Sequence, residues 1–211
     1  MKLERVVAGP FAENTYLLYQ NNQCLLIDPG FFSEAEFGKF KERLQALEAE
    51  LTAVILTHAH LDHVLGLRRV VQEYEAPVYL CHKDLYLWEN LEMQGQMFGL
   101  PFPAFDFTPR ELPVREEWSV GPATFEVRYT PGHAPDHVSL YLKEQGWLLG
   151  GDVLFRDSIG RTDLYKGDFD VLAQSIREQV YTLPDDTKVW PGHGPETTVS
   201  HEKASNPFVN G

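Results

Sequence analysis

Short apolar runs with the length of β-strands recur along the whole chain, and polar or glycine-containing segments separate them. In the first half they occupy residues 5–7, 15–19, 24–27, 51–56 and 77–80, and in the second half residues 124–129, 138–142, 147–149 and 188–190. The polar residues 20–23 lie between two such runs and predict a hairpin turn. Strands are therefore expected in both halves of the protein.

Helical patterns lie between these strands. Ser33 precedes Glu36 by three residues, which is a capping box and predicts a helix over residues 33–47. Apolar residues at helical spacing predict further helices over 61–74 and 168–181. Residues 88–113 are rich in Phe, Met and Pro and predict a helix end followed by a long irregular loop. This order of elements indicates an α/β protein with two mixed sheets covered by helices.

Composition narrows the class of function. The chain has 211 residues, which fit a single domain over 1–211, and a formal net charge of −13. Nucleic-acid binders need a basic surface, so no nucleic-acid partner is expected. No stretch approaches the roughly 18 apolar residues of a membrane span, and the first residues lack the apolar core of a signal peptide. We therefore expect a cytoplasmic protein that acts on a small molecule, and its oligomeric state stays open.

Four potential metal ligands stand within six positions directly after the predicted strand at 51–56. They are His58, His60, Asp62 and His63. In extended backbone, residues two positions apart point the same way, so His58 and His60 can share one ion. Asp62 and His63 begin the next helix and suit a neighbouring ion. Because no packing argument requires such a cluster, it predicts a metal site.

Three further candidates follow other predicted strands. His133 and His193 each come directly after a Pro-Gly pair, which ends a strand and turns the chain. Asp152 follows Gly150 and Gly151, whose small size lets the backbone approach a crowded site closely. A carboxylate has two oxygens and can bridge two cations. We interpret His137 as a partner of the site, and His82 and His201 as non-ligands.

These residues resemble the metallo-β-lactamase superfamily, and within it the short glyoxalase II-like (hydroxyacylglutathione hydrolase-like) hydrolases. The resemblance runs from Asn14-Thr15-Tyr16 and Asp28-Pro29-Gly30 through His193. It implies a four-layer αββα sandwich with two divalent metal ions at one edge. Zinc is the metal expected first, and iron or manganese are the alternatives. The ligands it implies are His58, His60 and His133 for one ion, Asp62, His63 and His193 for the other, and Asp152 between them. The β-lactamases proper usually lack an aspartate at the position of Asp152, which speaks against a lactam substrate.

The implied chemistry is hydrolysis of a thioester such as an S-acylglutathione. Water held between two divalent cations loses its proton far more easily than bulk water, and Asp62 would be the catalytic carboxylate that orients it. Arg161 and Tyr165 resemble residues that contact glutathione in glyoxalase II, whereas the alternative is a turn braced by an Arg161–Asp163 pair. Residues 196–211 are too few for the helical tail that contacts glutathione in the full-length enzyme.

Other functions stay open at this point. A persulfide dioxygenase would hold a single Fe(II) with His58, His133 and Asp152. A lactone or ester hydrolase and a non-catalytic metal-binding module are further alternatives. The large apolar residues between Trp88 and Phe107, Phe102 among them, are expected either to line the substrate pocket or to pack in the core or against a partner chain.

Overall fold

Six strands from the first half of the chain form one mixed sheet. They are β1 Lys2–Ala8, β2 Glu13–Gln20, β3 Gln23–Ile27, β4 Glu50–Ile55, β5 Val78–Leu80 and β6 Arg110–Glu111. They lie side by side in that order. The first three pair antiparallel and the last four pair parallel. The computed structural model describes residues 1–211, apart from the side chain of Glu116.

The second half of the chain forms a second mixed sheet and a small hairpin. Its strands are β7 Arg115–Val120, β8 Ala123–Tyr129, β9 Val138–Leu142, β10 Trp147–Gly151, β11 Leu154–Phe155, β12 Ser158–Ile159, β13 Lys188–Pro191 and β14 Thr197–Thr198. The sheet order is β14-β13-β10-β9-β8-β7, and β11 pairs only with β12. Pairing is antiparallel except between β10 and β13.

Helices cover the outer face of each sheet. They are α1 Glu34–Ala46, α2 Leu67–Glu73, α3 Tyr86–Glu89, α4 Leu91–Met97, α5 Phe169–Ser175, which continues into a wide π turn over Ile176–Val180, and α6 Val199–Ser205. The capping box at Ser33 is confirmed, since its hydroxyl accepts from Glu36 N–H and the Glu36 carboxylate accepts from Ser33 N–H. No helix among the residues that the structure describes is long and apolar enough to cross a membrane.

The expected helix over residues 61–74 was wrong in its first half. Residues Leu61–His63 form a 3-10 turn, and α2 begins only at Leu67. The break has a packing reason: Gly66 N–H donates to Pro29 O at 2.7 Å instead of continuing a helical ladder. A Cβ at Gly66 would also collide with the ring of Phe31. The chain therefore turns sharply after the histidine cluster before the helix starts.

The expectation for residues 88–113, a helix end followed by a long irregular loop, was right only in part. The segment contains the end of α3, all of α4 and the short strand β6, and its long irregular part is confined to residues 98–109. The buried residues Leu91 and Gln94 fix α4 against the rest of the protein, and Pro101, Pro103 and Pro109 keep the helix from continuing.

Strand alternation divides the apolar residues into three clusters, which gives four layers. Leu17, Leu26 and Val54 face the helices on the outside of the first sheet. Their sequence neighbours, among them Leu18 and Leu25, face the second sheet instead. A third cluster joins the outer face of the second sheet to α5 and α6. Because side chains of adjacent strand residues point to opposite faces, these runs build the expected αββα sandwich, which is confirmed.

The Glu36 carboxylate also connects α1 to the turn after β1. It accepts from Gly9 N–H at 3.0 Å as well as from Phe32 N–H and Ser33 N–H. Burial alone would raise the pKa of Glu36, but these backbone donors lower it to about 2. The ionised carboxylate therefore holds both the start of α1 and the turn at residues 9–12.

Glu36→Gln is expected to lower the free energy of unfolding at pH 7 by about 1–2 kcal/mol, because an ionised capping acceptor is lost. The folded pKa lies below the ordinary value of 4.5. The stabilisation is thus complete above that ordinary value and vanishes as pH falls toward the folded pKa. Urea unfolding at pH 7 and near pH 2 measures it, with Glu42→Gln, an exposed change on the same helix, as the control. An equal effect of Glu36→Gln at both pH values would contradict the assignment.

Candidate metal centre

The seven side chains singled out in the sequence lie together at one edge of the sandwich, where strands of both sheets end. His58 and His60 follow β4, Asp62 and His63 lie in the 3-10 turn after it, and His133, Asp152 and His193 follow β8, β10 and β13. Their ligand atoms form three overlapping groups, and within each group all the ligand atoms lie within 4.8 Å of one another. The groups are His58, His60 and His133; His58, His63 and Asp152; and Asp62, His63 and His193.

Asn14 and Tyr16 of β2 fasten the second sheet to the first beside this site. The Asn14 side-chain amide donates to Pro191 O and to Gly194 O, both at 2.8 Å. The Tyr16 hydroxyl donates to Pro191 O at 2.7 Å. These bonds fix the turn that carries His193, so the ligand candidates of the two sheets keep their spacing.

The first group consists of three imidazoles whose nitrogens converge. His60 Nδ1 lies 3.0 Å from His58 Nε2 and 2.8 Å from His133 Nε2, and the latter two are 3.2 Å apart. Nitrogens on a tetrahedral zinc with bonds of about 2.0–2.1 Å are roughly 3.3 Å apart. The separations therefore match a shared cation.

Hydrogen bonds behind two of these rings orient their lone pairs inward. His133 Nδ1 lies 2.8 Å from Arg161 O, which can only accept, so Nδ1 carries the proton. Thr57 Oγ1 donates to Asp28 Oδ2 at 2.7 Å and so accepts from His58 Nδ1 at 3.0 Å. Both Nε2 atoms are then unprotonated and face each other, which a cation between them would satisfy.

The second group, made of Asp62, His63 and His193, combines a carboxylate with two imidazoles. His193 Nε2 lies 3.0 Å from Asp62 Oδ2, and His63 Nε2 lies 3.8 Å from the same oxygen. Asp152 stands between the groups: Oδ1 is 3.4 Å from His63 Nε2, and Oδ2 is 3.5 Å from His133 Nε2 and 3.6 Å from His193 Nε2.

The structure offers an independent test of whether a metal fits here. Asp152 Oδ1 and His63 Nε2 are buried, and neither has a hydrogen-bond partner among the described residues. Buried polar atoms are normally paired, and each exception needs an explanation. Gly192 packs so closely that a Cβ there would collide with Asp152 Oδ1. Buried nitrogen and oxygen atoms that lack hydrogen-bond partners and lie close together are suited to bind a divalent cation.

The electrostatics differ between the groups. Burial lowers the pKa of His58 well below its ordinary value, and burial with His133 lowers that of His60 to about 3. Burial alone would also lower the pKa of His63, but Asp152, Asp62 and other carboxylates raise it well above the ordinary value. The first group is therefore neutral and the second is a charge-paired cluster.

Three buried polar residues support the ligands and were missed as such in the sequence. Asp28 accepts from Thr57 N–H at 2.8 Å and lies 3.1 Å from His63 Nδ1. Asp136 accepts from Ala59 N–H at 2.9 Å, between His58 and His60. Gln94 accepts from Leu61 N–H and donates to Ala59 O, both at 3.0 Å. The Asp-Pro-Gly motif, which contributes to the family resemblance, was the one available signal, and it did not indicate that Asp28 supports the ligands.

Three further histidines lie outside the ligand set. His137 Nε2 accepts from Asp152 N–H at 2.9 Å, so it positions a proposed ligand through the backbone. His82 Nε2 lies 2.9 Å from Pro109 O. His201 Nε2 lies 2.6 Å from Asp157 Oδ1, beside Glu202, which already accepts from the Thr197 hydroxyl and the Asn206 amide. That cluster fastens the β11–β12 hairpin to α6.

A cleft of about 380 Å³ opens over the site and is lined by five of the seven residues, namely His60, Asp62, His133, Asp152 and His193. Its further lining consists of Phe11, Leu61, Gln94, Phe98, Phe155, Ser158, Ile159, Arg161 and Leu164. A larger hollow of about 630 Å³ lies elsewhere, next to Met1 and Tyr141, and contains none of the seven. Of these two cavities, only the smaller one is lined by several ionisable groups with shifted pKa values. We therefore take that cleft as the functional site.

Of the two expected substrate contacts, Arg161 lines the cleft and Tyr165 does not. Arg161 lines the cleft, and its guanidinium binds both oxygens of Asp163 at 2.7 and 2.8 Å. Tyr165 stacks on Tyr86 with ring centroids 3.9 Å apart and is not among the lining residues. The Arg161–Asp163 pair that was the alternative interpretation is therefore present.

Most of the aromatic stretch before residue 108 packs in the core. Trp88 and Phe102 are buried there, and Phe105 stacks on Trp88 with centroids 4.8 Å apart. Phe98 alone of the stretch's aromatic residues lines the cleft, where its ring meets Phe11 edge to face. Of the two alternatives for this stretch, core packing holds for Phe102, because its ring is buried beside α4.

Comparisons with known proteins agree with this geometry. A family model described as the metallo-beta-lactamase superfamily matches residues 8–193. The probable metallo-hydrolase YqgX of Bacillus subtilis is 39% identical, covering 100% of this chain and 99% of that protein. Hydroxyacylglutathione hydrolase GloC of Haemophilus influenzae is 36% identical over 100% of this chain and 99% of its own length.

Two solved structures are similar over nearly their whole length. The B3 metallo-beta-lactamase BLEG-1 has a TM-score of 0.90 and 35% identity, covering 100% of both chains. TTHA1623, in a di-iron-bound form, has a TM-score of 0.87 and 38% identity, covering 98% of this chain and 100% of its own.

Gln94→Leu is expected to lower the free energy of unfolding by about 2–4 kcal/mol, because Leu61 N–H and Ala59 O would lose their partner. Gln96→Leu, an exposed change on the same helix, should alter it by less than about 0.5 kcal/mol. Urea unfolding of both variants at neutral pH provides the comparison. If the two changes cost the same, Gln94 does not fasten α4 to the histidine turn.

Proposed function

The chain belongs to the metallo-beta-lactamase superfamily as a metal-dependent hydrolase, and we propose that its substrate is a thioester such as an S-acylglutathione. The observation that carries this proposal is the position of Asp152 between the two groups of ligand atoms, with Oδ1 near His63 and Oδ2 near both His133 and His193. A glyoxalase II-like activity is further supported by the similarity to the hydroxyacylglutathione hydrolase GloC.

We assign the seven residues to two divalent ions that share Asp152. His58, His60 and His133 would hold the first ion, and Asp62, His63 and His193 the second. Nitrogen and oxygen donors without thiolate select weakly among zinc, iron and manganese. Zinc is our first choice, and the di-iron form of TTHA1623 supports iron as an alternative.

When bound, the ions would lower the pKa of water between them and polarise the substrate carbonyl. Asp62 lines the cleft and lies 3.0 Å from His193 Nε2. Burial alone would raise its pKa, but His63 and His193 hold it below the ordinary value. An ionised carboxylate at this place would accept a hydrogen bond from the attacking water and so orient it toward the carbonyl.

The leaving group favours a thioester. A thiol with a pKa of about 8.5 departs as its thiolate, so no side chain has to protonate it. The buried His58 and His60 have lowered pKa values and are neutral at neutral pH, so they are unsuited to act as acids. Amide and ester leaving groups have higher pKa values and need more assistance than a thiolate does.

A mononuclear dioxygenase is not favoured. It would use His58, His133 and Asp152 and leave Asp62, His63 and His193 without a function, although all three face the same space. A lactone or other ester hydrolase would use the same residues as a thioester hydrolase, so the substrate assay below distinguishes them.

After saturation with zinc and desalting, the protein is expected to retain two ions per chain by elemental analysis. Asp152→Ala should lose metal and activity together, since its carboxylate faces both groups. His82→Ala is the matched control and should keep both ions, because His82 lies outside the site. At most one ion in the saturated protein, or two in Asp152→Ala, would refute the shared carboxylate.

The zinc-loaded protein is expected to release thiol from S-acylglutathiones in a direct thiol assay. Asp62→Asn should lower kcat by about 100-fold or more, because a positioned carboxylate typically contributes that much. A chromogenic cephalosporin and a simple lactone serve as comparison substrates. Faster cleavage of either comparison substrate than of every thioester would overturn the proposal.

A further inference from the structure

We infer that Phe11 and Phe98 form the acyl-binding end of the cleft, and that the acyl group rather than the thiol carries substrate selectivity. This inference rests on the proposed thioester hydrolysis and names the part of the substrate that is recognised. It would make the protein a hydrolase of thioesters with apolar acyl groups.

The two rings form an apolar wall beside the second ligand group. Their centroids are 5.0 Å apart at an interplanar angle of 78°, an edge-to-face pair. Phe98 is nevertheless 46% exposed, although it lies within the cleft that contains Asp62 and His193. A large ring left open to solvent within such a site offers contact area to a ligand.

Phe98 is held in place by the end of α4. Phe98 N–H and Leu100 N–H both donate to Gly95 O, at 3.2 and 2.8 Å, which folds the chain back tightly. Gly95 is required there because a Cβ would collide with Leu100 O. Gln94 in turn bonds to the backbone on both sides of His60. The ring therefore keeps a fixed distance from the ligands.

Phe11 is held from the other side of the cleft. Gly9 has a φ of +66°, and Ala12 N–H donates to Gly9 O at 3.3 Å to close the turn. The Glu36 carboxylate accepts from Gly9 N–H and so anchors this turn to α1. A wall made of two independently anchored rings needs little reorganisation on binding, which favours affinity for a matching apolar group.

The rest of the cleft lining is poorly equipped to bind glutathione. Arg161 is the only lysine or arginine among the lining residues, and Asp163 already neutralises it with two bonds. Glutathione carries two carboxylates, whereas the chain has a net charge of −13. The cleft therefore offers a charged thiol carrier little attraction, whereas the two rings offer an apolar surface to the acyl group.

The experiment compares two substrate series on the zinc-loaded protein. With glutathione as the constant thiol, kcat/KM should rise from acetyl to butanoyl to hexanoyl, by up to about fourfold per methylene. With butanoyl as the constant acyl group, replacing glutathione by the uncharged N-acetylcysteamine should change kcat/KM by less than about threefold, since a solvent-exposed ion pair contributes little.

Substitutions assign the effect to the two rings. Phe11→Ser and Phe98→Ser should each flatten the acyl series, whereas Phe98→Leu should retain most of its slope. Phe208→Ser, an exposed phenylalanine outside the cleft lining, is the matched control and should leave the series unchanged. A flat series in the unaltered protein, a slope that persists in both serine variants, or a dependence on the thiol instead would overturn the inference.

A binding measurement separates this inference from the proposed function. Calorimetry of the zinc-loaded protein should show hexanoate binding about 10-fold or more tighter than acetate, and Phe98→Ser should remove the difference. If no thioester is cleaved but this difference is found, the proposed function fails and the apolar wall stands. If thioesters are cleaved but hexanoate binds no tighter than acetate, the acyl-binding role of Phe11 and Phe98 is refuted and the proposed function stands.

Discussion

One buried carboxylate, that of Asp28, lies behind a histidine of each of the two ligand groups. It accepts from the Thr57 hydroxyl, which places the proton of His58 on Nδ1, and it lies 3.1 Å from His63 Nδ1. The ring of His58 therefore directs Nε2 into the shared space. Because a ring with its proton on the inner nitrogen cannot bind a cation, the metal-binding form of His58 depends on the Asp28 carboxylate, which is also an ion-pair partner of His63.

The fold makes such a contact possible by bringing strand ends to one edge. Asp28 directly follows β3, and Thr57 comes two residues after β4, the parallel neighbour of β3. Parallel pairing carries the ends of both strands to the same edge of the sheet, where their side chains can meet. The second sheet contributes His133, Asp152 and His193 from its own strand ends, and Asn14 fastens the two sheets there. The site is thus built from backbone that the sheets already hold in place.

The sequence was informative where the chemistry is local. The cluster from His58 to His63 and the two Pro-Gly-His turns were visible because their members are neighbours in the chain. The order of strands and helices indicated two mixed sheets covered by helices, and the resemblance implied their four-layer arrangement. The functions of Asp28 and Gln94 were not visible, because Asp28 meets Thr57 across 29 residues and Gln94 meets Ala59 across 35. The helix break before Leu67 depends on a contact between Gly66 and Phe31 that no helical periodicity contains.

The ligand site and the cleft wall share one anchoring residue, Gln94, and otherwise depend on different parts of the fold. The ligands stand at strand ends and depend on sheet pairing, whereas Phe11 and Phe98 lie on a turn and a short helix end anchored by Glu36 and Gln94. A change in either ring leaves the hydrogen bonds behind the histidines intact. Similar chains described as a hydroxyacylglutathione hydrolase and as a B3 metallo-beta-lactamase are consistent with such a division. Selectivity in this protein should therefore be sought in the wall, and reactivity in the strand ends.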